Sequence, residues 1–370
     1  MGCMRLPVKN GSPADIDTEQ TADMIRLAFD RGINYFDTAW PYHMGNSEQV
    51  VGSILAKYPR SSYYLATKFP GMVPEHFSRI EEIFADQLNR TQAGYFDFYM
   101  LHCVCEADVG LYCAHAPELK AFLLKQKEAG IIRHLGFSVH GTPAVIEQIL
   151  NAYGDMIEFC QIQLNWFDWE FIAAKDNVRY LNDRNIPVWV MEPVRGGRLS
   201  SLPPAVEELR KERFPDESAS QTAMRFLQQV PGVTVVLTGA STLTQLEENI
   251  QAFSGDNEMT QEDAAWLTSL GPQFSFGVPC TRCGYCLAAC PSELDIPKIL
   301  SLYNEDQFTG NGFITIMGVS ALAPEKRPFA CTRCQTCESV CPQEIHISEI
   351  MTAFSKTLRS NPDIRNPFKK

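Results

Sequence analysis

Eight of the thirteen cysteines form two copies of a CxxCxxCxxxCP motif, CTRCGYCLAACP and CTRCQTCESVCP. This spacing is typical of chains that wrap [4Fe-4S] clusters, where three thiolates of one motif bind one cluster and its fourth binds the other cluster. We therefore predict two clusters with crossed ligand sets. The predicted sets are Cys280, Cys283, Cys286 and Cys341 for one cluster, and Cys331, Cys334, Cys337 and Cys290 for the other.

Structural zinc and disulfide bonds are two other uses of such cysteines. Zinc sites usually pair one CxxC with a distant CxxC, which leaves no role for the third Cys and the final CP of each motif. Disulfides need an oxidising compartment, and the chain starts MGCMRLPVKN, without the charged and apolar regions of a signal peptide. Iron–sulfur binding is therefore favoured. The other cysteines, Cys3, Cys103, Cys105, Cys113 and Cys160, are interpreted as reduced thiols in or near a core.

A second set of residues, Asp37, Tyr42, Lys68 and His102, could together form a proton donor. An ammonium group beside a phenol favours the phenolate, so Lys68 is expected to draw the pKa of Tyr42 down from about 10 toward working pH. Asp37 would hold Lys68 charged and oriented. Such a tyrosine can protonate a carbonyl oxygen, and His102 could hydrogen-bond the same oxygen. Each residue alone has a structural explanation, and only their joint placement favours chemistry.

The segments that must position these residues alternate between strand length and helix length, which is typical of βα units around a parallel sheet. Asp37 would follow the second strand, Lys68 the third and His102 the fourth, so all three should face one rim. Residues 1–6 are interpreted as the tail of the first strand. The other predicted strands are 33–36, 63–67, 96–101, 134–138, 157–161, 188–191 and 233–237.

Length and motif content favour a (β/α)8 TIM barrel over a doubly wound dinucleotide-binding fold. A barrel of this kind usually takes about 250 residues, and no GxGxxG turn follows an early strand. We predict an α/β barrel over residues 1–255, a linker over 256–279, and an α-helical ferredoxin-like 2[4Fe-4S] domain with a C-terminal tail over 280–370.

Composition excludes several kinds of partner. A net charge of −12 repels phosphate backbones, so no nucleic-acid partner is expected. The chain has no run of 18 apolar residues, so no membrane span is expected. The expected location is the cytoplasm.

Seven motifs, in their order and approximate spacing, resemble the aldo/keto reductases, and specifically the branch with a ferredoxin-like C-terminal extension. They are GINYFDTAWPYH, NSEQVVG, ATK, DFYMLH, LGFSVH, EPVRGG and VVLTGASTLTQLEEN, and the resemblance covers nearly the whole chain. The resemblance implies that Asp37, Tyr42, Lys68 and His102 form a catalytic tetrad. Tyr42 would then be the general acid in hydride transfer from a nicotinamide.

The resemblance also implies bound NADP(H), or NAD(H), across the rim. Ser138 and Gln161 would hold the carboxamide, while Gly197 and Arg198 would line the pyrophosphate. The segment TGAS, residues 238–241, precedes a helix whose free N–H groups suit an anion. A capped surface helix explains the same residues equally well. The residues implied at the adenosine end are Thr238, Gly239, Ser241, Gln245, Glu248 and Asn249.

Three features depart from the family pattern. Val139 follows Ser138 where the family often has Asn, so one carboxamide contact is missing. Ser241 stands where many members have an Arg against the 2′-phosphate, and Arg198 is the candidate substitute. Relatives usually start earlier with a hairpin that closes the barrel floor, so either the start is truncated or the barrel is open at its base.

Three functions fit these residues. The leading one is NAD(P)H-dependent reduction of a small aldehyde or ketone, or the reverse oxidation of an alcohol. The others are an electron-transfer module that uses the barrel to dock a redox protein, and a nucleotide-sensing protein. Nicotinamide gives two electrons as hydride whereas each cluster passes one, and the flavin that normally bridges this difference has no recognisable motif here. The clusters could also be purely structural.

Overall fold

The structure is a computed structural model of the chain, and it describes residues 1–254, 259–274, 277–278, 280, 283–310, 312–361 and 367–368. The chain divides into two compact units, Met1–Gln273 and Phe274–Lys370. This division lies within the predicted linker. Parts of that linker (256–258, 275–276 and 279) and of the predicted C-terminal tail (362–366 and 369–370) lie outside the described residues. Within the described ranges, no helix combines the length and apolar character needed to cross a membrane.

The described part of the first unit contains one sheet of seven parallel strands, in which each strand pairs with the next one along the chain. The seven strands predicted after residue 30 are all present, with ends that differ by at most three residues, whereas residues 1–6, expected to be the tail of the first strand, make only an isolated bridge between Gly2 and Asp37. Asp37, Lys68 and His102 were all expected just beyond their strands, but Asp37 is the last residue of its strand and the other two lie before the ends of theirs. The strands are β1 (Tyr35–Asp37), β2 (Tyr64–Phe69), β3 (Phe96–Val104), β4 (Ile132–Val139), β5 (Phe159–Gln163), β6 (Val188–Met191) and β7 (Val233–Val236).

The first three residues connect the two edges of this sheet. The Cys3 N–H donates to the carbonyl of Asp37 at 2.8 Å, and the Asp37 N–H donates to the carbonyl of Met1 at 2.9 Å. On the other side, the Gly2 N–H donates to the carbonyl of Thr238, just after β7, at 2.7 Å. The sheet therefore curls into a barrel-like α/β fold. Parallel strands arranged in this way bring their carboxyl ends to one rim.

Amphipathic helices separate the strands. Helix α1 begins after Asp17, whose carboxylate accepts the Gln20 N–H at 3.0 Å, and it buries Met24, Ile25 and Ala28 on one face. The helices of the first unit are α1 (Thr18–Asp30), α2 (Ser47–Leu55), α3 (Ile80–Thr91), α4 (Val109–Ala114), α5 (Ala116–Glu128), α6 (Pro143–Tyr153), α7 (Asp168–Phe171), α8 (Ala174–Asn182), α9 (Pro204–Arg213), α10 (Ala219–Gln228), α11 (Leu243–Gln251) and α12 (Gln261–Ser269).

Aromatic side chains fill the inside of the curled sheet. The ring of Trp189 stacks on Phe159 at 4.0 Å between centroids and meets Phe98 and Tyr35 edge-on at 4.7 and 5.1 Å. Offset and edge-on contacts of this kind stabilise a core beyond simple burial. The packed rings give the strands a rigid interior beneath the rim.

The second unit is helical and has its own small core. Ile296 and Ile299 of one helix pack with Ile347, Met351 and Phe354 of another. Cys286 and Cys337 are buried in this core, and other cysteines of the two motifs pack against it. Its helices are α13 (Tyr285–Ala289), α14 (Ile296–Thr309), α15 (Phe313–Ser320) and α16 (Ile347–Ser360).

Candidate active site and cysteine cavities

A buried ion pair lies at the rim of the first unit. The Lys68 ammonium donates to Asp37 Oδ1 at 2.6 Å and to the carbonyl of Thr38 at 2.8 Å. Both charged side chains are almost completely buried. Burial alone would lower the pKa of Lys68, but Asp37 and then Tyr42 raise it above its usual value. Lys68 is therefore held as a cation.

The phenol of Tyr42 completes this group, because its oxygen lies 3.3 Å from Lys68 Nζ. Tyr42 begins a short turn in which His43 and Met44 have positive φ angles of 53° and 56°. His43 anchors the turn, since its Nε2 accepts the Leu6 N–H at 3.0 Å, leaving Nδ1 to donate to the carbonyl of Pro13 at 2.9 Å. The tyrosine thus owes its position to contacts with the N-terminal segment.

The pKa of Tyr42 shifts in the direction opposite to the one expected. Burial raises the pKa of Tyr42 to about 12, because a buried phenolate loses its hydration, and the nearby Lys68 charge opposes this only in part. The expected net lowering is wrong for this structure. Tyr42 is accordingly a phenol at neutral pH, which is the form that can donate a proton.

His102 reaches the same place through a bulge in β3. The pairing of β3 with β4 shifts register between Leu101 and Val104, and Cys103 has a φ of +57°. The His102 ring lies 5.6 Å from the Tyr42 ring, at 75° to it. Burial, and then the charge of Lys68, lower the pKa of His102 well below its usual range, so the ring is neutral. Its buried Nδ1 has no hydrogen-bond partner among the described residues.

Tyr112 holds the backbone around His102 and was not predicted from the sequence. Its hydroxyl donates to the carbonyl of His102 at 2.8 Å and accepts the N–H groups of His102 at 3.2 Å and Gly71 at 3.0 Å. A β-carbon at Gly71 would lie 2.5 Å from the Tyr112 ring, so this approach requires glycine. No local motif marks Tyr112, which lies in α4, because its partners belong to other elements.

A buried polar network supports β2 from behind. Glu48 accepts from Thr67 Oγ1 at 2.6 Å and from Gln87 Nε2 at 2.8 Å, and Gln87 also donates to the carbonyl of Lys68 at 3.0 Å. Glu48 lies in the NSEQVVG motif, and its role was missed because an isolated acidic residue in a helix is normally solvated.

Both residues expected to hold the carboxamide lie beside the ion pair. Ser138 and Gln161 are directly paired in the register of β4 and β5. The Gln161 amide donates to Asp37 Oδ2 at 3.3 Å, and the Ser138 hydroxyl accepts the Cys103 N–H at 2.7 Å. The structure thus brings both side chains to the part of the rim that holds Asp37 and His102.

The remaining expected cofactor residues lie in two loops and one helix. Gly197 and Arg198 belong to the turn after β6, where Gly197 has a φ of 93°. Thr238, Gly239 and Ser241 follow β7, and Gln245, Glu248 and Asn249 lie in α11. The Asn249 amide donates to the Thr238 hydroxyl at 2.6 Å, while the Gln245 side chain accepts the Ser241 N–H at 2.8 Å.

Arg5 lies between these two loops and was not predicted. The Ser241 hydroxyl donates to its carbonyl at 2.7 Å, and its guanidinium lies 3.8 Å from Glu192. A β-carbon built on Gly196 would lie 2.6 Å from Arg5 Nη2, and one built on Gly239 would lie 3.9 Å from Arg5 Cδ. A cation therefore lies against the loops expected to hold phosphate.

The eight motif cysteines line two cavities in the second unit. Each cavity is partly open to solvent, with a volume of about 320 Å³ that includes this open part, and is lined by three cysteines of one motif and the last cysteine of the other. Among the described residues, no three His, Cys, Asp or Glu side chains are grouped as they would be around a single metal ion. The cavities are lined by Cys280, Cys283, Cys286 and Cys341, and by Cys290, Cys331, Cys334 and Cys337.

Comparison with protein families identifies the first unit. Residues 1–271 match the model of the aldo/keto reductase family. The chain belongs to the aldo/keto reductase family. Residues 279–346 match the 4Fe-4S dicluster domain, so this reductase carries an iron–sulfur domain at its C-terminal side. The predicted oxidoreductase family and the predicted iron–sulfur domain are both confirmed.

Individual relatives agree with this assignment. The oxidoreductase YqkF of Bacillus subtilis is 26% identical over 302 residues, which cover 73% of this chain and 90% of YqkF. The NADH-specific methylglyoxal reductase of Escherichia coli is 29% identical over 51% of this chain and 62% of its own length. The holo form of aldo-keto reductase AKR11C1 from Bacillus halodurans has a TM-score of 0.59 and 27% identity, covering 73% of this chain and 90% of that one.

Proposed function

We propose that this reductase transfers hydride from NAD(P)H to a small aldehyde or ketone, with Tyr42 as the proton donor. The observation that carries the proposal is the hydrogen-bonded series from Asp37 through Lys68 to Tyr42, with the neutral His102 ring beside the phenol. Three neighbouring strands and the turn after β1 together bring these side chains into the arrangement that a proton donor requires.

The proton chemistry follows from these contacts. When bound, a reduced nicotinamide would supply the hydride to the carbonyl carbon. Tyr42 gives its proton to the carbonyl oxygen, which becomes the hydroxyl of the product alcohol. Lys68 stabilises the phenolate left on Tyr42, and Asp37 keeps Lys68 charged. The neutral His102 ring has one N–H, which orients the carbonyl oxygen toward the phenol.

The rim residues fit a dinucleotide chemically. Ser138 and Gln161 offer a hydroxyl and an amide to the carboxamide, while Arg198 and the newly recognised Arg5 offer positive charge to the pyrophosphate. Gly197 has no side chain, so the pyrophosphate can come close to the backbone there. The adenosine end is assigned to the loop and helix residues Thr238, Gly239, Ser241, Gln245, Glu248 and Asn249. The Escherichia coli relative is NADH-specific, so we propose that this site accepts either NADH or NADPH. Arg5 would face the pyrophosphate, which the two cofactors share.

We further propose that the two cavities hold [4Fe-4S] clusters in the crossed arrangement. Cysteine thiolates are the ligands that iron–sulfur clusters prefer, and each cavity supplies four. When bound, the clusters pass single electrons. The exposure of Cys283 and Cys334 favours, as a second candidate function, exchange with a redox protein partner.

The test is Tyr42→Phe, assayed anaerobically with a panel of aldehydes and ketones and both reduced nicotinamides. Carbonyl reduction should fall by about 10²–10⁴-fold because the general acid is lost. The visible spectrum of the clusters should not change. Tyr64→Phe, at an exposed tyrosine of β2, is the matched control and should keep full activity. Unchanged turnover in Tyr42→Phe would refute the assignment of the acid, and nucleotide binding without turnover of any carbonyl would favour the nucleotide-sensing alternative.

A further inference from the structure

The Asp37 carboxylate has a second set of contacts that the proposed reaction does not use. Its Oδ1 accepts from Lys68, whereas its Oδ2 accepts the Tyr35 hydroxyl at 3.1 Å and the Gln161 amide at 3.3 Å. Tyr35 and Asp37 are two positions apart in β1, so their side chains lie on the same face of the strand. A phenol therefore supports the carboxylate from inside the curled sheet.

Packing fixes the Tyr35 ring in this position. Trp189 meets it edge-on at 5.1 Å between centroids, and Phe98 does so at 5.6 Å. Burial, and then the charge of Asp37, raise the pKa of Tyr35 well above its usual value. The hydroxyl therefore stays protonated and can only donate to the carboxylate.

We propose that Tyr35 is a positioning residue of the active site, whose hydroxyl holds Asp37 and thereby controls how strongly the Lys68 charge acts on Tyr42. The inference rests on the proposed function, since it concerns the proton that Tyr42 donates. Tyr35, Asp37, Lys68 and Tyr42 then form one hydrogen-bonded series with a phenol at each end.

The direction of the effect follows from the charges around Tyr42. The Asp37 carboxylate disfavours the Tyr42 phenolate, and the Lys68 ammonium favours it. A hydrogen bond from Tyr35 withdraws negative charge from Asp37. Without that bond, Asp37 binds Lys68 more tightly and repels the phenolate more strongly, so the pKa of Tyr42 should rise further.

Other titratable groups also face this series. The amino group of Met1 and the thiol of Cys3 lie near Asp37. The thiol of Cys103 lies near Tyr42, and the neutral ring of His102 lies across from it. The substitution Tyr35→Phe leaves all of them unchanged and removes one hydroxyl, so a shift in the pH dependence reports the missing hydrogen bond.

The experiment compares wild type, Tyr35→Phe and the control Tyr64→Phe. Alcohol oxidation requires the Tyr42 phenolate, so its log rate should rise with pH below the pKa of Tyr42. In Tyr35→Phe this line should be displaced to higher pH by about one unit, so that the rate at a given pH below the pKa is about tenfold lower, as expected for one hydrogen bond to a charged group. Thermal unfolding and nucleotide affinity should stay close to wild type.

A second measurement does not depend on turnover. Protein labelled with ¹³C at the tyrosine ring is titrated without nucleotide, and the Tyr42 signal is assigned by its absence in Tyr42→Phe. The Tyr42 signal should titrate at higher pH in Tyr35→Phe than in wild type. The proposal is overturned if this signal titrates identically in both proteins, because any loss of rate in Tyr35→Phe then occurs without a change in the pKa of Tyr42. Failure of the proposed function is a different result, namely no oxidation or reduction by wild type.

Discussion

At the scale of single residues, the candidate site depends on one buried ion pair. Asp37 and Lys68 are both almost completely buried, and a charge in such a place is tolerated only when it is paired and hydrogen-bonded. Lys68 satisfies its three N–H groups with Asp37, Thr38 and Tyr42. The pair therefore contributes to the folded structure as well as to the proposed chemistry.

Removing one charge of this pair should lower the free energy of unfolding more than removing both charges. Lys68→Met leaves the Asp37 carboxylate buried without a counter-ion, which should lower the free energy of unfolding by about 3–5 kcal/mol. Adding Asp37→Asn to Lys68→Met should restore part of that loss, although neither protein should reduce carbonyls. Chemical unfolding of the full chain measures both effects, with Lys57→Met at an exposed position as the control. A double variant less stable than Lys68→Met would contradict this view of the pair.

At the scale of elements, strand ends and the turns after them build the rim. The bulge in β3 lies at His102, and the next helix, α4, supplies Tyr112, whose hydroxyl holds the backbone of His102 and of Gly71 after β2. Asp108 lies at the start of α4, and its Oδ1 accepts the Cys105 N–H at 2.8 Å. This hydrogen bond holds the turn that joins β3 to α4.

The carboxyl of Asp108, in this turn, should make the stability of the folded protein depend on pH. Burial raises the pKa of its carboxyl to about 7, whereas an unfolded chain keeps the ordinary value near 4. The folded state therefore holds the proton more tightly than the unfolded state. Stability should fall as the pH rises from about 4 through 7, and the loss should be complete above that range.

Asp108→Asn tests this dependence because it keeps an oxygen for the Cys105 N–H and removes the charge. The variant should be more stable than wild type by about 2–4 kcal/mol at pH 8, with a smaller gain at pH 5. Thermal unfolding at both values measures the difference, and Asp155→Asn at an exposed aspartate is the control. An equal gain at pH 5 and pH 8 would show that the carboxyl does not titrate in this range.

At the scale of the whole molecule, the chain combines a reductase unit and an iron–sulfur unit. Two short motifs 51 residues apart surround two cavities by exchanging their last cysteines, Cys290 and Cys341. Such an exchange ties the two halves of the second unit together, because neither motif completes a site alone.

The crossed arrangement predicts which cysteine substitutions act together. Cys283→Ala and Cys341→Ala should remove the same cluster, so their combination should lose no more iron than either one, about four of eight atoms. Cys283→Ala combined with Cys290→Ala should lose both clusters. Iron content and the visible spectrum measure this in anaerobically purified protein, with Cys113→Ala in the first unit as the control. Ligand sets without exchange would give the reverse pattern.

Prediction from the sequence succeeded where the signal is local. The strands were recognised because an apolar run bounded by polar residues reflects local burial, and all seven lie within three residues of their predicted ends. The sequence predicts that Asp37, Lys68 and His102 face one rim and that a loop brings Tyr42 over it, and the structure brings these four side chains together. The net pKa shift of Tyr42 was predicted in the wrong direction, because adjacency to Lys68 could be inferred but the extent of burial could not.

By itself, the sequence determined the family, the order of the βα units and the presence of an iron–sulfur domain, since these depend on motifs read along the chain. Only the tertiary structure decided which side chains surround Asp37 and which cation lies between the two rim loops. Gln161 and Asp37 are 124 positions apart, and Arg5 and Ser241 are 236 apart. Contacts across such distances depend on how the sheet curls, and the desolvation that sets the pKa of Tyr42 depends on everything packed around it.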